Sequence, residues 1–565
     1  MRYSVLKGLL FTAGSLATTV LYAQQADFTE ALQDVTVKDD TYEQSFSYDD
    51  ANNCLLSFTI LDTDEGEETV YQVNAADLNE YKVRFDTKGK AIVVEAETRG
   101  GKDLVRVFED GQVEGFDDGF ELYADGIENA RDLVKSLKEI VTNCNGTNKD
   151  ITVNGKANPT FNEALNFLSS EIGEIEVGQE TFNQSFTYDS DRPTVITYTW
   201  EDPSEGESRK YVANIADFNE QSVSFNTKNG NVWLTLETQG ERDLIQTYED
   251  GEPDDYESEV QMMAADIEQA RVLEKALKAL IATAADRTQD SFIPGNAKPD
   301  LSTTAGYLAE HVGDATLGND VYEQSFTYDN AQHQLKFEVT DVGDGDKNTY
   351  QVNPADLNVN AIDLDTKGNG VVITLETQAE RDLIQVLEND VVDGYEDEMN
   401  IYAPDVESGR HWVEALKRLV LLGRDNQQDA FAALGSTPDQ AATLKFLQEN
   451  VRRVEAGEEA YQQTFTTASG NQCLITYTVL DEDEGEEETY EWNMADINDN
   501  PISFDTKGEE ILVTLSTIGD RELIKAIEDG EVDGYEDEVE LRANNIEEAR
   551  ALVSAFKHLA GLCEK

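Results

Sequence analysis

The sequence predicts an α+β fold, mainly β. It reads as four tandem copies of one antiparallel unit of about seven strands, each copy closed by a C-terminal helix. Three observations predict it. Landmark residues recur at a period near 140, the Thr-Lys pair at spacings of 140, 139 and 140. Inside each period, short segments alternate apolar and polar residues, the two-residue period of a half-buried strand. Each period then ends on a stretch with apolar residues three and four apart, the stripe of an amphipathic helix.

The landmarks fix the copies. Phe-Ser/Thr-Tyr-Asp stands at Phe46–Asp49, Phe186–Asp189 and Phe326–Asp329, and degrades to Phe465–Ala468. The pair Thr-Lys stands at Thr87-Lys88, Thr227-Lys228, Thr366-Lys367 and Thr506-Lys507. Tyr-x-x-Asn-x-Ala-Asp supplies Tyr71/Asn74/Asp77, Tyr211/Asn214/Asp217, Tyr350/Asn353/Asp356 and Tyr490/Asn493/Asp496. A period near 140 is too long for a solenoid, whose repeats run about 20–50 residues. A segment of that size can own a core, and a chain of 565 residues fits about four such domains.

Copy one serves as template. Its expected strands are Tyr42–Tyr48, Leu55–Leu61, Val70–Val73, Lys82–Phe85, Ala91–Ala96, Leu104–Phe108 and Phe120–Tyr123. Asp64-Glu65-Gly66, Lys88-Gly89 and Asp110-Gly111 carry turn chemistry at the hairpin tips. The closing helix places Ile127, Ala130, Leu133, Val134, Leu137 and Ile140 on one face. It recurs at Ile267–Ile281, Val406–Val420 and Ile546–Leu559. Polar, Gly/Pro-bearing joints at Asn145–Pro159, Asp286–Asp300 and Arg424–Gln440 separate the copies. After each joint comes a short helical pattern, of which copy one keeps a stub, Phe28 to Val35. The expected division is 1–23, 24–146, 159–285, 301–424 and 441–565.

Residues 1–23 read as a secretory signal: Arg2 and Lys7, an apolar run from Gly8 to about Val20, and a cut after Ala23. No later stretch reaches the roughly 18 apolar residues of a membrane span. The expected location is secreted or periplasmic.

Strands of this number followed by one amphipathic helix resemble the pleckstrin-homology-like (PH-like) superfold. The resemblance is topological and covers each copy almost wholly. It extends to secreted bacterial proteins of unassigned function built from such modules. It implies a bent sandwich or barrel with the helix plugging one open end. The family's phosphoinositide pocket needs basic residues on the first hairpin. Here that hairpin reads Asp49-Asp50-Ala51-Asn52-Asn53 or Asp189-Ser190-Asp191-Arg192-Pro193, so lipid binding does not carry over.

Charge narrows the function. The chain holds 116 Asp and Glu against 43 Lys and Arg, a net −73, and loss of Arg2 and Lys7 would take it to −75 (−73 − 2). Nucleic acid demands a basic footprint, and so does direct binding to an anionic membrane. Both are excluded as expected partners. The acids are spread over all copies, the composition of a protein adapted to high salt, where screening relieves self-repulsion.

The four cysteines pair by position. Cys54 to Cys144 and Cys473 to Cys563 are each 90 apart. Cys54 and Cys473 occupy equivalent places in copies one and four, where copies two and three have Thr194 and Gln334. Both cysteines occur together or not at all, so one disulfide is expected in copy one and another in copy four, consistent with secretion.

Catalytic chemistry is not written in the sequence. His311, His333, His411 and His558 fall at different phases of the repeat. No metalloprotease, P-loop, dinucleotide or nucleophile-elbow motif stands out. The acidic tips Asp62–Glu68, Asp341–Asp346 and Asp481–Glu488, and the stretches Asp393–Glu398 and Asp533–Glu538, offer oxygen ligands of the kind calcium takes, without EF-hand spacing. Recurrent cations are rarer: the Thr-Lys lysines, the series Lys102, Arg242, Arg381 and Arg521, and the helix arginines Arg131, Arg271, Arg410 and Arg550. They read as internal ion pairs or as stems over the barrel edge. The expectation is a non-catalytic binding or scaffold protein with a protein partner and no cofactor. The alternative is a calcium-dependent surface or matrix protein.

Overall fold

The computed structural model describes residues 25–49, 52–145, 151–177, 180–284, 292–426, 430–435, 438–457, 459–528 and 530–563. The expected signal segment, 1–23, lies outside them. The fold is mainly β, with helices. The chain forms two compact units, Met1–Gln289 and Asp290–Lys565, and each holds two of the copies found in the sequence.

Copy one shows how the residues make the elements. Its strands are β1 (Val35–Val37), β2 (Asp40–Tyr48), β3 (Leu55–Asp62), β4 (Glu67–Asn74), β5 (Arg84–Lys88), β6 (Ala91–Glu97), β7 (Val105–Glu109), β8 (Gln112–Asp117) and β9 (Gly119–Ala124). One six-stranded sheet runs β1-β2-β3-β4-β7-β8, and a three-stranded sheet runs β5-β6-β9. The order is interleaved: β4 pairs with β7 and β6 with β9, all antiparallel. The same element and strand order recurs in the other three copies.

Nine strands thus stand where about seven were expected. β1 is only three residues long, and β8 reads Gln-Val-Glu-Gly-Phe-Asp, without the apolar alternation that marks a strand. The expected strand at Lys82 begins two residues later, because Glu80–Lys82 forms a 3-10 turn capped by Asn79. The stub of copy one is helical over residues 25–31 and becomes β1 at Val35.

The closing helix Ile127–Cys144 buries Ala130, Leu133, Leu137, Ile140, Val141 and Cys144. It packs on β5, β6, β9 and the 3-10 turn Ala75–Asp77. The core of copy one gathers Phe28, Leu56, Phe58, Leu122 and these helix residues. The helices that open the later copies start on polar caps. Asp300 Oδ1 accepts from the Thr303 N–H at 2.8 Å, and Asp439 does the same for Ala442. Thr160 and Glu163 form a reciprocal capping box.

One buried polar side chain ties the two sheets of each copy. Gln324 Nε2 donates to the carbonyls of Gly313 and Tyr402, both at 2.8 Å, and its Oε1 accepts from the Tyr402 N–H at 2.9 Å. Gln44, Gln184 and Gln463 do the same to Tyr123, Met263 and Arg542. A side-chain amide here replaces a rung of backbone ladder, satisfying both partners in a dry site.

Candidate functional site

The site that recurs is the junction between the two copies of a unit. It grows from the Asn-x-Ala-Asp landmark. Asn74 accepts from the Ala76 N–H at 3.0 Å and so caps the 3-10 turn Ala75–Asp77. That turn aims Asp77 outward from copy one. Arg271, on the closing helix of copy two, donates from Nη2 to Asp77 Oδ2 at 2.6 Å. Beside it, Asn74 Nδ2 donates to Glu268 Oε1 at 3.0 Å. Thr227 of the Thr-Lys pair donates to the Asp103 carbonyl at 2.8 Å. Leu104 and Phe116 of copy one pack against the core of copy two.

The second unit rebuilds this junction residue for residue. Arg550 Nη2 donates to Asp356, Asn353 Nδ2 to Glu547 Oε1 at 2.8 Å, and Thr506 to the Asp382 carbonyl at 2.8 Å. Tyr395 packs against the core of copy four as Phe116 does against that of copy two. Arg381 adds a bond from Nη2 to the Phe504 carbonyl at 2.9 Å. The two junctions differ in tightness. The first encloses a cavity of about 30 Å³ lined by Asn74, Asp77, Leu104, Phe116 and Ile267. The second leaves a cleft of about 450 Å³ lined by His333, Asn353, Leu383, Tyr395 and Ile546.

Both ion pairs are largely buried: the side chains of Arg271 and Asp77 are 10% and 8% exposed, and those of Arg550 and Asp356 are 21% and 6% exposed. Burial raises the Asp77 carboxyl above its ordinary value, and the Arg271 guanidinium pulls it back only in part. Asp356 shifts the same way for the same reason. A carboxylate in this position is costly without its guanidinium, which makes the pair a specificity element.

The helix arginines were expected to form internal ion pairs or to lie over the barrel edge. Arg271 and Arg550 do form ion pairs, and their partners lie in the preceding copy of their unit. The landmarks were legible as repeat markers; that Asn, Asp and Thr within them face a neighbouring copy was not, because a sequence period does not say which face is shared. The recurrence of a helix Arg together with a turn Asp was the available signal.

The cysteines form Cys54–Cys144 and Cys473–Cys563, with Cα atoms 5.7 and 5.8 Å apart. Each joins the start of a strand to the end of the closing helix. Two disulfides suit an oxidising compartment. Among the described residues, no helix is long and apolar enough to cross a membrane.

The histidines do not come together. His311 stacks on Tyr307, His333 lies by Tyr328, and His558 Nε2 is 2.8 Å from the Pro438 carbonyl. At the acidic tips the leading aspartate caps its own turn. Asp62 Oδ1 accepts from Asp64 and Glu65, Asp341 Oδ1 from Gly343, and Asp481 Oδ1 from Asp483 and Glu484. Among the described residues, no group of three or more His, Cys, Asp or Glu is arranged to hold a metal ion. No protein-family model, curated protein or solved structure matches this chain.

Proposed function

We propose that the protein is a non-catalytic scaffold of the cell exterior or periplasm, built from four PH-like domains and adapted to salt. The observation that carries this reading is the duplicated junction. Asp77–Arg271 and Asp356–Arg550 join copies in the same way, with the same flanking Asn–Glu and Thr–carbonyl bonds. A chain that repeats a docking geometry displays its remaining surfaces in a set order, which is what a scaffold does. The disulfides support the compartment. The six- and three-stranded sheets with a closing helix support the PH-like comparison, with the interleaved strand order as a feature of these units. The net charge of −73 keeps the display soluble and repels nucleic acid and anionic lipid.

The reading is tested by site-specific photo-cross-linking of the chain in its native cells, with probes on several exposed strands. A discrete protein neighbour, repeatedly captured from one face, is expected. Cross-links that never yield a discrete protein adduct, together with turnover of a small molecule by the purified chain, would contradict it.

A further inference from the structure

We infer that the protein associates head to tail with further copies of itself, through the same junction it uses inside each unit. The inference deepens the scaffold reading and rests on it: the partner it names is a second copy of this chain.

A junction has two halves. The first is the face around the Asn-x-Ala-Asp turn, with a strand leucine and an aromatic beside it. The second is the start of the closing helix, with its Glu and Arg. Copy four carries the first half complete: Asn493, Asp496, Leu474, Leu523 and Tyr535. In copy one the matching residues Asn74, Asp77, Leu55, Leu104 and Phe116 line one cavity at the junction.

Copy four leaves that face uncovered. Leu383 of copy three is 5% exposed at its junction, whereas the equivalent Leu523 is 37% exposed and Tyr535 is 57% exposed. Asn353 and Asp356 are buried, whereas Asn493 and Asp496 are only half-buried. Several apolar side chains exposed around one acidic group form the kind of patch that marks an interaction site.

Copy one carries the second half, also uncovered. Its helix opens Ile127-Glu128-Asn129-Ala130-Arg131, against Ile267-Glu268-Gln269-Ala270-Arg271 and Ile546-Glu547-Glu548-Ala549-Arg550 at the junctions. Arg131 is 58% exposed where Arg271 is 10%, and Ile127 is 48% exposed where Ile267 is 8%. Thr87, the counterpart of Thr227, is exposed as well. Among the described residues, Arg131 pairs with Glu128 on its own helix, one turn away.

The two halves are complementary in charge, expose apolar side chains beside it, and correspond to residues that bond each other at the internal junctions. An interface between different faces of identical chains is heterologous, so it adds chain to chain into a filament unless the rotation closes a ring. The large like charge of each chain opposes this at low salt. Screening favours it, since the Debye length falls to about 3 Å near 1 M.

Sedimentation velocity of the mature chain over a wide concentration range, in low and high NaCl, tests the inference. The expected result is a series of larger species that grows with concentration and salt. Asp496→Arg and Arg131→Asp each block one end, and each alone should lose association by at least about tenfold, the cost of stranding one partner of a desolvated pair. Mixed together, the two variants meet with opposite signs at both contacts, the unchanged Asp496 against the unchanged Arg131 and the two substituted positions against each other, and should grow again. Restoring opposite signs by putting both substitutions in one chain should restore growth. A wild-type chain that stays monomeric at every salt and concentration would overturn the inference, as would single variants that assemble like wild type. A monomeric chain that still cross-links to another protein in cells would keep the scaffold reading and remove this one.

Discussion

Asp77 and Arg271 lie 194 residues apart in sequence and 2.6 Å apart in space, and the pair Asp356 and Arg550 repeats that separation. The duplication therefore preserved the contact between copies within a unit as well as the fold of the copy. A buried pair of this kind adds little net stability compared with an apolar contact of similar shape, but it punishes a wrong partner heavily. That makes it suited to fixing which face meets which.

The buried glutamines are the next point of failure. Gln324 satisfies the carbonyl of Gly313, between a helix and a strand, and the carbonyl and N–H of Tyr402 on the opposing strand. Gln324→Leu keeps the volume and strands those groups without water. A loss of about 2–3 kcal/mol is expected, the cost of leaving buried backbone groups unpaired. Chemical denaturation of the variant measures it, and a neutral effect would mean that water reaches the site.

The disulfides close loops with a sequence separation of 90. The chain-entropy account gives about 4–5 kcal/mol for each as an upper value. Cys54→Ser with Cys144→Ser should lower the melting temperature of the first unit and leave the second unchanged. The counterpart pair at Cys473 and Cys563 should do the reverse. Calorimetry resolves the two.

Alkaline pH should weaken the fold in a defined window. Burial pushes the Tyr395 hydroxyl up to about 12, with the Gln385 amide pulling slightly the other way. Tyr198 and Tyr477, buried and donating to Gln184 and Gln463, shift upward too. A phenol whose folded value lies above its unfolded value of about 10 holds its full contribution below pH 10. That contribution is lost as pH climbs through about 12. Melting temperature should therefore be flat with respect to these groups from about pH 8 to 10 and then fall.

Salt should matter through screening. The leading aspartates of the acidic tips cap their own turns. CaCl₂ and NaCl at matched ionic strength are therefore expected to raise the melting temperature alike. A much larger rise in calcium, saturating at low concentration, would instead establish specific sites and favour the calcium-dependent alternative.

Much of the fold was legible because its signals are local. Alternation over Leu55–Leu61 and Ala91–Ala96 announced strands, and the apolar stripe from Ala130 to Ile140 announced the helix. The cysteine phases announced the pairs that the structure forms. β8 was illegible since a wet edge strand such as Gln112–Asp117 carries no apolar period. The interleaved pairing of β4 with β7 was illegible too, because strand order depends on contacts that local pattern does not encode. The junction falls between: Asp77 and Arg271 were visible as recurrent residues, while their meeting across copies depends on tertiary packing.

The central claim is that the Asp–Arg junction docks one copy on the next, and a double-mutant cycle on Asp356 and Arg550 tests it most directly. Asp356→Asn, Arg550→Met and the combined variant would be unfolded in denaturant in the full-length chain, followed by the fluorescence of Trp412 and Trp492, which are buried in the second unit. The account predicts that each single substitution costs about 3 kcal/mol and that the combined variant costs less than either alone, since the second substitution removes the charge the first one stranded. Losses that simply add, or single substitutions without effect, would contradict it.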